Sequence, residues 1–178
     1  MIDKMKLASA IAEVGLSDTK YLASVAGLHY TEREKVEQII DAMRMADAIK
    51  LDRPQIRAPQ HAFNLIWPMA IGLENEVLWV ITLNTRNRVL KVTDLYKGTV
   101  NMSNLRYAEL FRDAVRLNGE AIIIAHNHPS GDPSPSPEDV NVFRRAKEAG
   151  KILDIDVLDS IIIGGNRYVS LAERGLGG

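Results

Sequence analysis

AIIIAHNHPSGDPSPSPEDV, residues 121–140, is the stretch from which the rest of the chain can be read. It opens on five apolar residues, Ala121 to Ala125, with no polar alternation. That is the pattern of a central strand covered on both faces. The strand runs into His126. Residues i and i+2 of an extended chain project to the same face, so His126 and His128 point the same way. Pro129 and the prolines after it carry the chain away in a stiff loop. Ser136-Pro137-Glu138-Asp139 then opens a helix, with Pro137 at its first position and a capping-box pattern. If that helix packs beside the strand end, Asp139 in its first turn faces the two imidazoles.

Two histidines and one carboxylate, with a coordination position left open, form a catalytic zinc arrangement rather than a structural one. The same residues also have a plainer reading. His-x-His can end a strand with ordinary hydrogen bonds, and Ser136 with Asp139 can serve only as a helix cap. The two readings are compatible, because a cap fixes the helix start that aims Asp139. A metal used for hydrolysis also needs a nearby proton acceptor. Glu74 and Glu76 both precede the apolar run VLWVITL, residues 77–83, and spacing alone does not choose between them.

Outward from this segment the pattern is α/β. Residues 77–83 read as a buried strand, 84–87 as a turn and 89–92 as a partner strand. Residues 103–118 read as an amphipathic helix with Leu110, Phe111, Ala114, Val115 and Leu117 on or near its inner side, stopped by Gly119. The helix opened by Ser136 runs to Ala149 and is ended by Gly150. Residues 152–158, 161–163 and 167–170 read as closing strands, and 60–71 as a short helix. Residues 1–50 read as helical, with the capping box Thr31-Glu32-Arg33-Glu34 opening the longer of two helices. The expected organisation is a small helical N-terminal region over 1–58 and a mixed sheet flanked by helices over 59–178.

Composition limits the function classes. The chain has 178 residues, 46% hydrophobic and 25% charged, with a net charge of −1. That is a soluble globular mix without a global basic field for nucleic acid. It contains no cysteine, so a thiol nucleophile and thiolate zinc sites are excluded and a metal must use His and carboxylate ligands. Of its four histidines, two lie in the one tripeptide His126-Asn127-His128; the others are His29 and His61. The apolar runs are too short to span a membrane, and the N-terminal stretch lacks the pattern of a signal peptide, so a cytoplasmic location is expected.

A distant Glu, then H-x-H-P, then S-x-x-D resembles the JAMM (MPN-plus) metallopeptidase signature, and the spelling HNHPSGDPSPSPEDV resembles its RadC branch, bacterial proteins long labelled DNA-repair RadC-like. The similarity runs from about Glu74 to Gly175 and includes ENEVLWVITLN, LYKGTVN and VLDSIIIGGNRYVSLAERG. The resemblance implies a cytidine-deaminase-like α/β layer fold. It implies a zinc ion held by His126, His128 and Asp139, with Glu76 as general base and Ser136 steadying the oxyanion. The substrate it implies is a peptide or isopeptide; the alternative is a nucleic-acid-processing or repair-associated protein acting on or near DNA. Asn127 stands where eukaryotic members have Ser or Thr, as is usual in the RadC branch. Ser160, in Leu158-Asp159-Ser160, replaces a His usual in that branch. Longer relatives carry a helix-hairpin-helix-like DNA-binding segment near the N-terminus. Here Gly27 is kept and His29 stands where a second hairpin glycine would be, which disfavours phosphate contact by backbone amides.

Overall fold

The computed structural model describes residues 53–97 and 105–177. The helices expected in the first 52 residues, with Gly27 and His29, lie outside the described residues. From Pro54 onward the chain forms one compact unit. Its elements are α1 (Pro59–Ala70), β1 (Val77–Leu83), β2 (Val89–Lys97), α2 (Tyr107–Leu117), β3 (Ala121–Asn127), α3 (Pro137–Leu153), β4 (Asp156–Gly164) and β5 (Arg167–Ser170). The five strands form one mixed sheet in the order β2-β1-β3-β4-β5. Only β3 and β4 run parallel, joined through α3; the other neighbours are antiparallel.

Strand alternation sorts the core into two layers. Leu78, Val80, Ile122, Ile124 and Ile162 meet α2 and α3 through Leu110, Phe111, Ala114, Val142, Phe143 and Ala146. Trp79, Ile81, Leu83, Ile123, Ala125, Ile161 and Ile163 meet α1 through Ala62, Phe63 and Ile66 on the opposite face. Both faces of β1 and β3 are thus covered, which is why their sequences are apolar apart from Thr82 and the closing His126-Asn127. Each fully buried Leu, Ile or Phe contributes about 1.5–3 kcal/mol relative to exposure. The two-face covering is the α/β layer arrangement expected from the sequence.

Several local expectations change. Helix α2 begins at Tyr107, and its left-handed terminal residue is Asn118 (φ 50°) rather than Gly119. Gly119 is needed for space: a Cβ there would stand 2.7 Å from Thr82 Cγ2. Val115 is exposed, while Asp113 on the same helix is buried. Asp113 turns toward β2, accepting from Thr93 Oγ1 at 2.7 Å and pairing with Lys91 Nζ at 3.1 Å. Strand β2 continues past Val92 to Lys97.

Helix α3 does not end at Gly150. It continues to Leu153 and stops at Asp154, whose φ is 54°. Gly150 is required because the returning chain passes over it. The Ile155 N–H donates to the Gly150 carbonyl at 3.0 Å, and a Cβ on Gly150 would lie 2.4 Å from the Ile155 oxygen. Backbone cannot swing aside as a side chain can. Gly150→Ala is therefore expected to destabilise the fold by about 1–3 kcal/mol despite alanine's better helix propensity, read as a lower denaturation midpoint.

Candidate metal centre

The site lies where β3 ends and α3 begins. Alternation places His126 on the sheet face covered by α2 and α3, and that side chain is 97% buried from solvent (3% exposed). The parallel pair β3–β4 ends here, and the carboxyl end of such strands is where open α/β sheets place ligands. Helix α3 starts on the same face with Asp139 in its first turn. Among the described residues, His126, His128 and Asp139 form the group that could hold a metal ion, with one ligand atom from each lying within 4.8 Å of the others.

The donor geometry fits a first-row metal. His126 Nε2 is 3.1 Å from His128 Nε2 and 3.1 Å from Asp139 Oδ1; His128 Nε2 is 3.7 Å from Asp139 Oδ2. Tetrahedral zinc with ligands at about 2.0–2.1 Å separates its donors by about 3.3–3.4 Å. Both edges from His126 Nε2 lie slightly inside that value, and the His128 distance, drawn to the other carboxylate oxygen, lies outside it. His128 is oriented by Nδ1, which lies 2.8 Å from the Asp132 carbonyl oxygen. A carbonyl can only accept, so Nδ1 carries the proton and the Nε2 lone pair faces the site. Among the described residues His126 Nδ1 is buried with no hydrogen-bond partner. A buried polar atom left unpaired costs about 1–3 kcal/mol, so the fold carries this ring at a cost.

Asp139 has two duties. Its Oδ2 accepts from the Ser136 backbone N–H at 2.8 Å and from Ser136 Oγ at 2.7 Å, while its own N–H donates to Ser136 Oγ at 3.1 Å. The capping box read from the sequence is therefore present, and it aims the remaining oxygen, Oδ1, at His126, while His128 Nε2 stands 3.7 Å from the capped Oδ2. Burial pushes the Asp139 carboxyl up. The two imidazoles and the Ser136 hydroxyl outweigh burial and hold it well below the usual carboxylate range. His128 is shifted up, first by its hydrogen bond to Asp139, against the opposing effect of burial. The carboxylate is thus anionic at neutral pH, as a metal ligand must be.

Glu76 reaches the site through the sheet register. Leu78 pairs with His126 across β1 and β3. Continued by two residues, the same register sets Glu76 opposite His128 and on the same face. The half-buried Glu76 is close enough that its charge helps raise the His128 pKa. Glu74 is exposed.

Two supporting groups were not legible as such. Asn127 faces the other side of the strand from the two histidines. Its Oδ1 accepts from the Val77 N–H at 2.8 Å, and its Nδ2 donates to the Asn75 carbonyl at 3.1 Å. These bonds hold the backbone on both sides of Glu76 and extend the β1–β3 ladder by one side-chain pair. The only signal in the sequence was its place between two residues that share a face. Asn127→Asp keeps the acceptor and sets a carboxylate against the Asn75 carbonyl. It is expected to destabilise by about 1–3 kcal/mol, to speed hydrogen exchange at the Val77 amide and to leave the three candidate ligands in place. The second group is the Asp132 carbonyl, which only the fold of the loop brings to His128. In the Leu158-Asp159-Ser160 segment, Asp159 accepts from Ser170 Oγ at 2.6 Å and from the Ala172 N–H at 3.0 Å, anchoring the tail. Ser160 is 2% exposed, inside β4.

Residues 56–176 match the family described as RadC-like JAB domain. A UPF0758 protein of Roseiflexus castenholzii is 51% identical over 125 residues, which are 70% of this chain and 54% of that protein. A UPF0758 protein of Chloroflexus aurantiacus is 42% identical over 161 residues, 90% of this chain and 70% of that one. One from Desulfitobacterium hafniense is 45% identical over 133 residues, 75% of this chain and 59% of the relative. The match therefore spans between about half and about two thirds of these relatives' own length.

Proposed function

The chain belongs to the RadC-like JAB domain family, and from that membership and the geometry of its site we propose a zinc-dependent hydrolase that cleaves an amide bond, as a peptidase or isopeptidase. The observation that carries the reading is the convergence of His126 Nε2, His128 Nε2 and the Asp139 carboxylate at one point. Two imidazoles and one carboxylate suit zinc better than magnesium or calcium, which favour all-oxygen sites. When bound, zinc supplies a water of pKa about 7 and polarises a carbonyl.

The chain's own groups do the rest. Glu76 accepts a proton at its carboxylate and delivers it to the leaving nitrogen. Asn127 holds the backbone on which Glu76 stands. The Asp132 carbonyl keeps the His128 proton on Nδ1. Ser136 lies beside the reacting centre, and its hydroxyl is proposed to donate to the developing oxyanion, a role that needs its proton redirected from Asp139 Oδ2. Losing one such donor costs about 10²–10³ in rate. Ser136→Ala is expected to slow turnover by that factor, to weaken the α3 start by about 1 kcal/mol and to keep one zinc per chain. Ser136→Gly lacks the hydroxyl but costs an N-cap only a few tenths of a kcal/mol, so it should show the rate loss with little loss of stability, which separates the rate effect from the helix effect in paired kinetic and melting measurements.

A nucleic-acid reading draws on the DNA-repair label of the RadC branch. Two-metal phosphodiester chemistry needs further carboxylates at the centre, and among the described residues the group holds one, Asp139. No helix among the described residues is long and apolar enough to cross a membrane. The test offers the zinc-loaded chain a peptide mixture, an isopeptide-linked ubiquitin-like tail and single-stranded DNA side by side. Zinc-dependent cleavage of a peptide or isopeptide bond is expected. Zinc-dependent cleavage of DNA alone would overturn the reading.

A further inference from the structure

Beside the candidate centre lies a cleft of about 370 Å³, near the lower end of the range for ligand sites. Its walls come from three places that the chain brings together: Trp67, Ile71 and Leu73 from the end of α1 and the turn after it, His128 and Pro129 from the loop after β3, and Ile163 from β4. The Trp67 indole N–H donates to the Gly165 carbonyl at 2.9 Å, tying α1 to the β4–β5 turn across the cleft. Ile71 is 58% exposed at its edge, an apolar side chain left in water.

Two features identify the occupant. The first is continuity with the metal centre, because His128 belongs to both. Its Nε2 faces Asp139, and the same residue forms part of the cleft wall. The cleft opens on the α1 side of the sheet, with Ile163 and Trp67, while His126 and Asp139 stand on the α3 side, so a chain whose reacting carbonyl sits at the metal centre reaches the cleft by crossing the sheet end at His128 and Pro129. The second is charge. Among the described residues that line the cleft there is no Lys, Arg, Asp or Glu, and its polar members besides His128 are the neutral amides Asn127 and Asn166. A cation at its rim, Arg167, is turned to the Gly131 carbonyl, to which it donates at 3.3 Å. Phosphate backbones are held by cationic side chains, and these described walls offer none. Gly72, Gly131 and Gly165 also line it, and at Gly72 and Gly131 nothing stands within 4 Å of where a Cβ would be. The rim is therefore open to an approaching main chain.

We propose that this cleft is the specificity subsite of the hydrolase, taking one bulky uncharged apolar side chain, of the leucine or phenylalanine class, from the residue next to the scissile bond. The proposal rests on the amide-hydrolase reading above, and it narrows the substrate to peptides with such a residue at one fixed flanking position. Burying a side chain of that size is worth about 1.5–3 kcal/mol, so the preference over a small or charged residue is about tenfold or more.

The test has two arms. In the first, backbone amide spectra of the zinc-loaded full chain are followed by NMR during titration with N-acetyl-leucinamide, N-acetyl-phenylalaninamide, N-acetyl-glycinamide, N-acetyl-lysinamide and adenosine monophosphate. Saturable shifts at Ile71, Gly72, His128 and Gly165 are expected from the two apolar amides, about tenfold tighter than from the lysine or glycine amide. Ile71→Lys, at an exposed position that does not threaten the core, should remove that difference while keeping one zinc per chain. Equal response to all four amides, or tighter binding of the nucleotide, overturns the subsite. In the second arm a mixed peptide pool is digested and the cut bonds are sequenced. Enrichment of bulky apolar residues at one flanking position, lost in Ile71→Lys, supports the subsite. Cleavage without enrichment overturns it and leaves the hydrolase standing. Apolar binding in the first arm with no bond cut either in the peptide pool or in an isopeptide-linked tail keeps the cleft as an apolar site and overturns the hydrolase.

Discussion

Glu76→Gln is expected to hold zinc as the unaltered chain does and to lose hydrolysis by at least about 10²–10⁴-fold, the usual contribution of a positioned acid–base group. The substitution preserves shape and removes only the ability to accept a proton. Glu76 is not among the three residues whose donor atoms converge, so nothing in the metal set is lost. Its place opposite His128 follows from the register that pairs Leu78 with His126, and Asn127 bonds the residues on either side of it. The measurement is paired: zinc per chain by elemental analysis, and initial rate on whichever peptide or isopeptide the chain cleaves. Zinc lost from the variant would assign Glu76 to the ligand set. Unchanged turnover would remove it from the mechanism.

Asp139→Asn is expected to have the opposite signature, with zinc lost first and activity lost because of it. The amide can still accept from the Ser136 N–H, so the α3 cap is largely kept, but the negative charge facing two imidazoles is gone. Perturbing a group one shell out from a metal commonly costs 10–100-fold in affinity, and loss of a direct anionic ligand is expected to cost at least about 100-fold, read by competition with a chelator. The pH dependence has a definite sign. Asp139 raises the His128 pKa, so protons compete with metal at His128 from above the ordinary imidazole value downward. Zinc affinity of the unaltered chain is full at high pH and falls as pH drops through that raised value. In Asp139→Asn the main cause of the upward shift is absent, so the fall should begin at a lower pH.

How much of this was legible in the sequence differs from residue to residue. The strand from Ala121, the two histidines sharing its face and the capped helix at Ser136 are local features. Periods of two and of 3.6 residues and a capping pattern determine them, and the structure has them where the sequence placed them. Features set by distant chain were misread. Gly150 has the local form of a helix stop, yet its cause is the Ile155 carbonyl crossing above it. Asp159 and Ser160 look like a break between two strands, but β4 runs through them because Ser170 and Ala172 satisfy the Asp159 carboxylate. Val115 fits the apolar stripe of α2, yet Asp113 is the buried one, because Lys91 and Thr93 on β2 wait for it. Spacing alone could not separate Glu74 from Glu76; the resemblance implied Glu76, and the β1–β3 register, continued two residues past Leu78 and His126, is consistent with that choice. Spacing can place side chains on a face; it cannot say which faces meet.

The proposed hydrolysis depends first on His126, His128 and Asp139 together holding a single zinc with a coordination position left free. Crystals of the zinc-loaded chain measured on both sides of the zinc absorption edge test it. One anomalous peak is expected, about 2.0–2.2 Å from His126 Nε2, His128 Nε2 and an Asp139 carboxylate oxygen, with a fourth ligand that is not protein. No peak at this position, or zinc bound only through His29 or His61, would contradict the claim.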